Sequence, residues 1–61
     1  MRLWITRDED GSLTLHESEP YCRYDKWRNC NQEWYLDQSL FPEVTHGNSP
    51  QQVEIKLIKE E

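Results

Sequence analysis

Asp10-Gly11 stands between two runs in which apolar and polar residues alternate, Arg2-Leu3-Trp4-Ile5-Thr6 and Ser12-Leu13-Thr14-Leu15-His16. Asp-Gly between two period-two segments is a strong local signal for a β-hairpin, because glycine supplies the left-handed backbone that a tight turn needs. The pattern predicts a hairpin over about residues 2–17, turning through Asp8-Glu9-Asp10-Gly11. Leu3 and Ile5 then share one face with Leu13 and Leu15, while Thr6, Thr14 and His16 occupy the other. Trp4 falls by parity on that second face, where it is either covered by another element or exposed at a functional surface.

Further along, Glu17-Ser18-Glu19-Pro20 breaks the alternation, since proline cannot donate to a strand ladder and pushes its predecessor towards extended backbone. The middle of the chain admits two readings. Tyr21, Tyr24, Trp27, Cys30 and Trp34 recur at three- and four-residue intervals, with Ser18 placed as an N-cap, which suits a helix near residues 19–31. The same stretch lacks Ala and has no Leu before Leu36, while its aromatics and Asn are weaker helix formers. We favour the other reading, a second hairpin with strands Asp25–Arg28 and Glu33–Asp37 around an Asn29-Cys30-Asn31-Gln32 turn.

Ser39-Leu40-Phe41-Pro42 reads as a turn that plugs apolar side chains beneath the sheet, and His46-Gly47-Asn48-Ser49-Pro50 reads as a loop. From Gln52 to Lys59, Val53, Ile55 and Leu57 alternate with Glu54, Lys56 and Ile58, the pattern of a half-buried strand with a charged outer face. The expected class is all-β, a small antiparallel sheet or meander of four to five strands forming one domain over residues 1–61, with an α+β fold as the alternative. The expected core is Leu3, Ile5, Leu13, Leu15, Leu36, Leu40, Phe41, Val44, Val53, Ile55 and Leu57, with parts of the three Trp. A chain of 61 residues hides only about 60 % of its unfolded surface, so a partner or a second copy would help to stabilise it.

Twelve acidic residues face seven basic ones. The excess lies in the second half, where Glu33, Asp37, Glu43, Glu54, Glu60 and Glu61 face Lys56 and Lys59. Such a surface repels duplex DNA, which is bound by neutralising phosphates with Lys and Arg. It suits solubility or contact with a basic partner. Met1 is followed directly by strand residues, with no leader-like apolar segment and no run of membrane-spanning length, so a cytoplasmic protein with reduced Cys22 and Cys30 is the expectation. A trimmed leader would instead make a Cys22–Cys30 bridge reasonable.

The motifs for chemistry are weak. Thr6 to Glu17 falls into a twelve-residue calcium-loop register through Asp8, Asp10, Gly11, Leu13 and Glu17, but Thr6 replaces the first acidic ligand and no helix can precede it. His16, Cys22, Cys30 and His46 are zinc-type ligands without the paired two-to-four-residue spacing of structural sites; the plain alternative is two semi-buried cysteines and two surface histidines. No glycine-rich phosphate loop is present, and so small a domain is expected to lack a cleft of the ~300 Å³ that small-molecule sites need. We therefore read the chain as a non-enzyme without cofactor or metal.

The candidate surface is the middle segment, where Tyr21, Arg23, Tyr24, Lys26, Trp27 and Arg28 interleave aromatics with positive charge. Trp, Tyr and Arg dominate protein–protein hot spots, and the same mixture can stack on unpaired bases. Equally, these aromatics can cap a small core beneath Arg and Lys stems. We take Trp4, Tyr21, Arg23, Tyr24, Trp27 and Arg28 as binding residues of an adaptor or inhibitor that contacts another protein, with single-stranded nucleic acid as the alternative and no membrane partner. The last strand is a second candidate: at a sheet edge it offers β-augmentation or a homodimer contact, unless Lys56 and Lys59 guard it.

Leu40-Phe41-Pro42-Glu43-Val44-Thr45, with Asn48-Ser49-Pro50 and Val53-Glu54-Ile55, resembles a block in small uncharacterised bacterial proteins of gut commensals and their mobile elements. Leu3-Trp4-Ile5 with Asp10-Gly11 and Leu13 looks like their N-terminal hairpin. The likeness covers about half of the chain and leaves out the middle segment. An aromatic often follows the threonine in that group, where His46 stands here. The resemblance implies a small standalone β-rich protein borne on a prophage or transposon, and brings no activity.

Overall fold

A computed structural model describes residues 2–56. The described residues form six strands and no helix: β1 (Arg2–Arg7), β2 (Leu13–His16), β3 (Tyr21–Arg23), β4 (Lys26–Arg28), β5 (Glu33–Leu36) and β6 (Gln51–Glu54). Four of them make an antiparallel sheet in the order β5-β2-β1-β6, and β3 pairs with β4 as a separate two-stranded ribbon. The all-β class is as the sequence predicts, but the strands number six in two sheets rather than four or five in one, and the helix near residues 19–31 does not form.

The first hairpin is the predicted one. Ile5 pairs with Leu15 and Arg7 with Leu13. Gly11 takes φ +95°, and its amide donates to the Asp8 carbonyl at 3.0 Å while the Asp8 amide donates to the Ser12 carbonyl at 2.9 Å. Asp10 Oδ1 accepts the Ser12 amide at 2.9 Å, an Asx turn that reinforces the bend.

The second hairpin is a correction. Strands near 25–28 and 33–37 exist, but they do not pair with each other. β4 pairs with β3, Tyr21 opposite Arg28 and Arg23 opposite Lys26. β5 instead runs beside β2, with Leu13 opposite Leu36 and Leu15 opposite Trp34. The β3–β4 turn is Tyr24-Asp25, both at positive φ (53° and 62°), the two-residue geometry that matches the twist of paired strands. Asp25 tolerates left-handed backbone, but Tyr24 does not favour it, so the local sequence gives little notice of the turn.

Directly opposite residues share a face of an antiparallel pair, so the register sorts the four-stranded sheet into two unlike sides. One carries Leu3, Ile5, Leu13, Leu15, Trp34, Leu36 and Val53; the other carries Trp4, Thr6, Thr14, His16 and Tyr35. Ile5, Leu13 and Val44 form the core, with Leu15, Leu36 and Val53 packed against it, and Leu3 is also buried. Leu40, Phe41 and Ile55, expected inside, are about half exposed. Val44 is the plug that the 39–42 turn was expected to supply. The last strand ends at Glu54 rather than Lys59; Leu57, Ile58 and Lys59 of that expectation lie outside the described residues.

Arg7 fixes the loops to the sheet. Its Nε donates to the Val44 carbonyl at 2.6 Å, Nη1 to the carbonyls of Gly11 (2.8 Å) and Gln38 (3.1 Å), and Nη2 to those of Leu40 (2.9 Å) and Phe41 (3.2 Å). The five donors of a guanidinium are all engaged, with main-chain oxygens only. This holds a turn in which Phe41 sits at φ +48°, a left-handed conformation that costs about 1–2 kcal/mol for a residue with a side chain.

Candidate functional site

The ribbon β3–β4 is tied to the larger sheet and its first turn at three points. The Trp27 amide donates to Asp8 Oδ1 at 3.0 Å. Asn29, just past β4, places Oδ1 2.9 Å from His16 Nδ1 and donates through Nδ2 to Ser18 Oγ at 3.2 Å. Glu33 Oε2 also approaches His16 Nδ1 at 3.3 Å, and its Oε1 lies 3.8 Å from Arg28. Both oxygens beside Nδ1 are acceptors, and on the other side of the ring Nε2 lies 2.8 Å from the Thr6 hydroxyl.

This arrangement corrects the reading of the histidines. His16 is fully buried, not at the surface, with Thr6, Asn29 and Glu33 set against its ring nitrogens. Cys22 and Cys30, expected semi-buried, are free and exposed. His46 is half-buried with Nδ1 3.3 Å from the Arg7 carbonyl. Among the described residues no group of three or more His, Cys, Asp or Glu side chains is placed to hold a metal ion. Asp8 and Asp10, which fell in the calcium-loop register, instead accept the Trp27 and Ser12 amides.

The candidate binding residues divide by the pairing of the ribbon. Tyr21, Arg23, Lys26 and Arg28 alternate onto one side, and Cys22 and Trp27 onto the other. All four of the first group are exposed, whereas Trp27 is half-buried and its indole Nε1 is shut away from solvent without an acceptor among the described residues. Trp27 thus lies on the side of the ribbon opposite Tyr21, Arg23, Lys26 and Arg28. Tyr24 crowns the turn at 86 % exposure, with the Arg23 guanidinium carbon 5.4 Å from its ring centre. Trp4 is not part of this group: it lies half-buried in β1 of the other sheet, opposite His16 and Gln52.

Two carboxylates near the turns are held below the usual carboxylate range. Asp10 is lowered chiefly by the Ser12 amide, with the Ser12 hydroxyl and Lys26 adding to it. Asp37 is lowered by the Ser39 hydroxyl at 2.7 Å and then by the Ser39 amide at 2.8 Å. Both are exposed turn caps, and the shifts arise from these local hydrogen bonds.

The sequence did not single out the apolar side of the four-stranded sheet. Two adjoining grooves of about 610 and 350 Å³ run over it, sharing Leu15, Leu36 and Ile55. Trp34 walls the larger and Phe41 the smaller. Space above the ~300 Å³ expected to be beyond so small a domain is therefore present, as open grooves lined almost wholly by hydrocarbon. Parity in Glu33–Leu36 was the available signal: it puts Trp34 beside Leu36 on the same side as Leu13 and Leu15.

Fold and surface together define a small all-β protein with a cationic aromatic ribbon on one side of its main sheet and an open apolar face on the other. No protein-family model, curated protein or solved structure matches the chain. Among the described residues no helix is long and apolar enough to cross a membrane.

Proposed function

We propose that this chain is a protein-interaction module without catalytic activity, an adaptor or inhibitor that docks through the outer side of the β3–β4 ribbon. The observation that carries the reading is Tyr24. A tyrosine at positive φ is strained by about 1–3 kcal/mol, and such strain concentrates at sites where a side chain is held for a purpose. Here the ring is presented almost entirely to solvent, beneath the Arg23 guanidinium, on a ribbon anchored by Trp27, Asp8 and Asn29. Tyr21, Arg23, Lys26 and Arg28 extend the surface along both strands. A pre-organised aromatic flanked by cations suits an acidic, partly apolar patch on another protein. The exposed free thiols of Cys22 and Cys30 support a reducing compartment, the cytoplasm.

A second reading, single-stranded nucleic acid, draws on the same face, because three cations and two tyrosines along one ribbon also suit stacked bases and phosphates. The net charge of −5 weighs against it.

The test is retention from a lysate of the source cell by tagged protein, with and without nuclease, alongside the variants Tyr24→Ala and Arg23→Ala/Arg28→Ala. A protein retained after nuclease by the parent chain, and lost in both folded variants, supports the module. Retention that vanishes with nuclease and weakens steeply with salt moves the assignment to nucleic acid. Retention that persists in both variants removes the ribbon from the binding surface.

A further inference from the structure

We propose that the apolar face of the four-stranded sheet is a second docking site, whose occupant is a cationic amphipathic helix of another protein. The face is continuous. The larger groove passes from Ile55 beyond β6, over Leu3 of β1 and Leu15 of β2, to Trp34 and Leu36 of β5. With the smaller groove, which adds Ile5 of β1 and Val53 of β6, it reaches all four strands in the order in which they pair. Contiguous exposed hydrocarbon of this kind marks an interaction surface in a small protein.

The direction of the groove selects the form of the occupant. An extended segment lying across the strands would press its own unpaired amides and carbonyls onto hydrocarbon, which is costly. A helix satisfies those groups internally and presents one apolar stripe. Three interstrand spacings of about 4.8 Å make a track of about 14 Å, the length of roughly nine helical residues.

Charge selects its sign. Glu17 lines the larger groove, and Asp37 and Glu43, both exposed, stand in the loop that supplies Leu40 and Phe41 to the wall. Among the described residues Lys56 and Glu54 lie 3.2 Å apart and offset each other, and the Arg7 guanidinium is surrounded by main-chain carbonyls. A second copy of this chain would bring two such acidic rims together, each on a molecule of net charge −5. A helix with a leucine-type stripe bordered by Lys or Arg meets both the hydrocarbon and the rim.

The experiment uses two fluorescent helical peptides of about fourteen residues with one leucine stripe, one bordered by lysines and one by glutamates, titrated with the full chain. The lysine peptide is expected to bind and the glutamate peptide not. Ile55→Asp and Trp34→Ser should each weaken binding at least about tenfold, and Glu17→Lys about threefold, with circular dichroism and melting curves showing the fold retained. Ile55 lies beyond the end of β6, so Ile55→Asp keeps the test alive should Trp34→Ser unfold the sheet. Tyr24→Ala should leave peptide binding unchanged, which separates this site from the ribbon. Equal binding of both peptides, no binding of the lysine peptide, or indifference to Ile55→Asp overturns the proposal. So does a dimer in sedimentation that Ile55→Asp dissociates, which makes a second copy the occupant. Binding at least about tenfold tighter in Leu57→Asp/Ile58→Asp would make the chain's own last residues the occupant and equally overturn it.

Discussion

Thr6 and His16 meet diagonally across the first hairpin at 2.8 Å, hydroxyl oxygen to Nε2, and both are shielded from solvent. The Thr6, Thr14 and His16 part of the polar side is therefore buried, while Tyr35 on the same side stays exposed. Thr6→Val keeps the shape but leaves Nε2 without its partner. A buried polar group stripped of its hydrogen-bond partner costs about 1–3 kcal/mol, and chemical denaturation should show a loss in that range. A change below a few tenths of a kcal/mol would mean that this contact contributes nothing to stability.

Arg7→Lys is expected to destabilise by about 2 kcal/mol or more. Lysine keeps the charge, but its three donors on a point-like head cannot reproduce the planar fork that meets carbonyls on three stretches of chain. A melting curve matching the parent would show that charge alone anchors the loop.

The Tyr24-Asp25 turn makes the opposite forecast. Asp25→Gly removes a side chain from a residue at φ +62°, and should stabilise by about 1 kcal/mol, read as a higher melting temperature. Loss of stability instead would mean that the Asp25 side chain has a structural duty greater than its strain.

Acid should loosen the two capped turns. Asp10 and Asp37 are held below their ordinary range in the fold, so the stability they contribute is present above the unfolded-state value and is lost as pH falls through the folded-state values. The window lies below about pH 4. Melting temperatures across the acid range should decline there, and Asp10→Asn/Asp37→Asn should flatten that decline. A decline centred above about pH 5 would belong to other groups.

The first hairpin was legible because Asp10-Gly11 announces its turn and Leu3, Ile5, Leu13 and Leu15 keep strict alternation. The stretches that become β4 and β5 were also legible, but their pairing was not. Asn29 suggested a turn between them, while its side chain reaches His16 instead. The real turn needs two left-handed residues and uses Tyr and Asp, of which Tyr carries no such signature. His16 was misplaced for a related reason: parity assigns it a face, but only the long-range approach of Asn29 and Glu33 decides whether it is covered there. The grouping of Tyr21, Arg23 and Arg28 follows from period-two spacing. The separation of Trp27 from them follows from the same spacing, once the middle is a ribbon rather than a helix.

Arg7 reads the peptide backbone and no side chain of the loop that it holds. Substitutions at Gln38, Leu40 or Phe41 leave their carbonyls where they were, so related chains are free to rewrite the chemistry of this corner while keeping its shape. Adding or removing a single residue between Gln38 and Val44 would shift the whole row of oxygens out of step with the guanidinium. The corner is thus tolerant of spelling and strict about length, which suits a place where a binding surface can diversify on an unchanged frame.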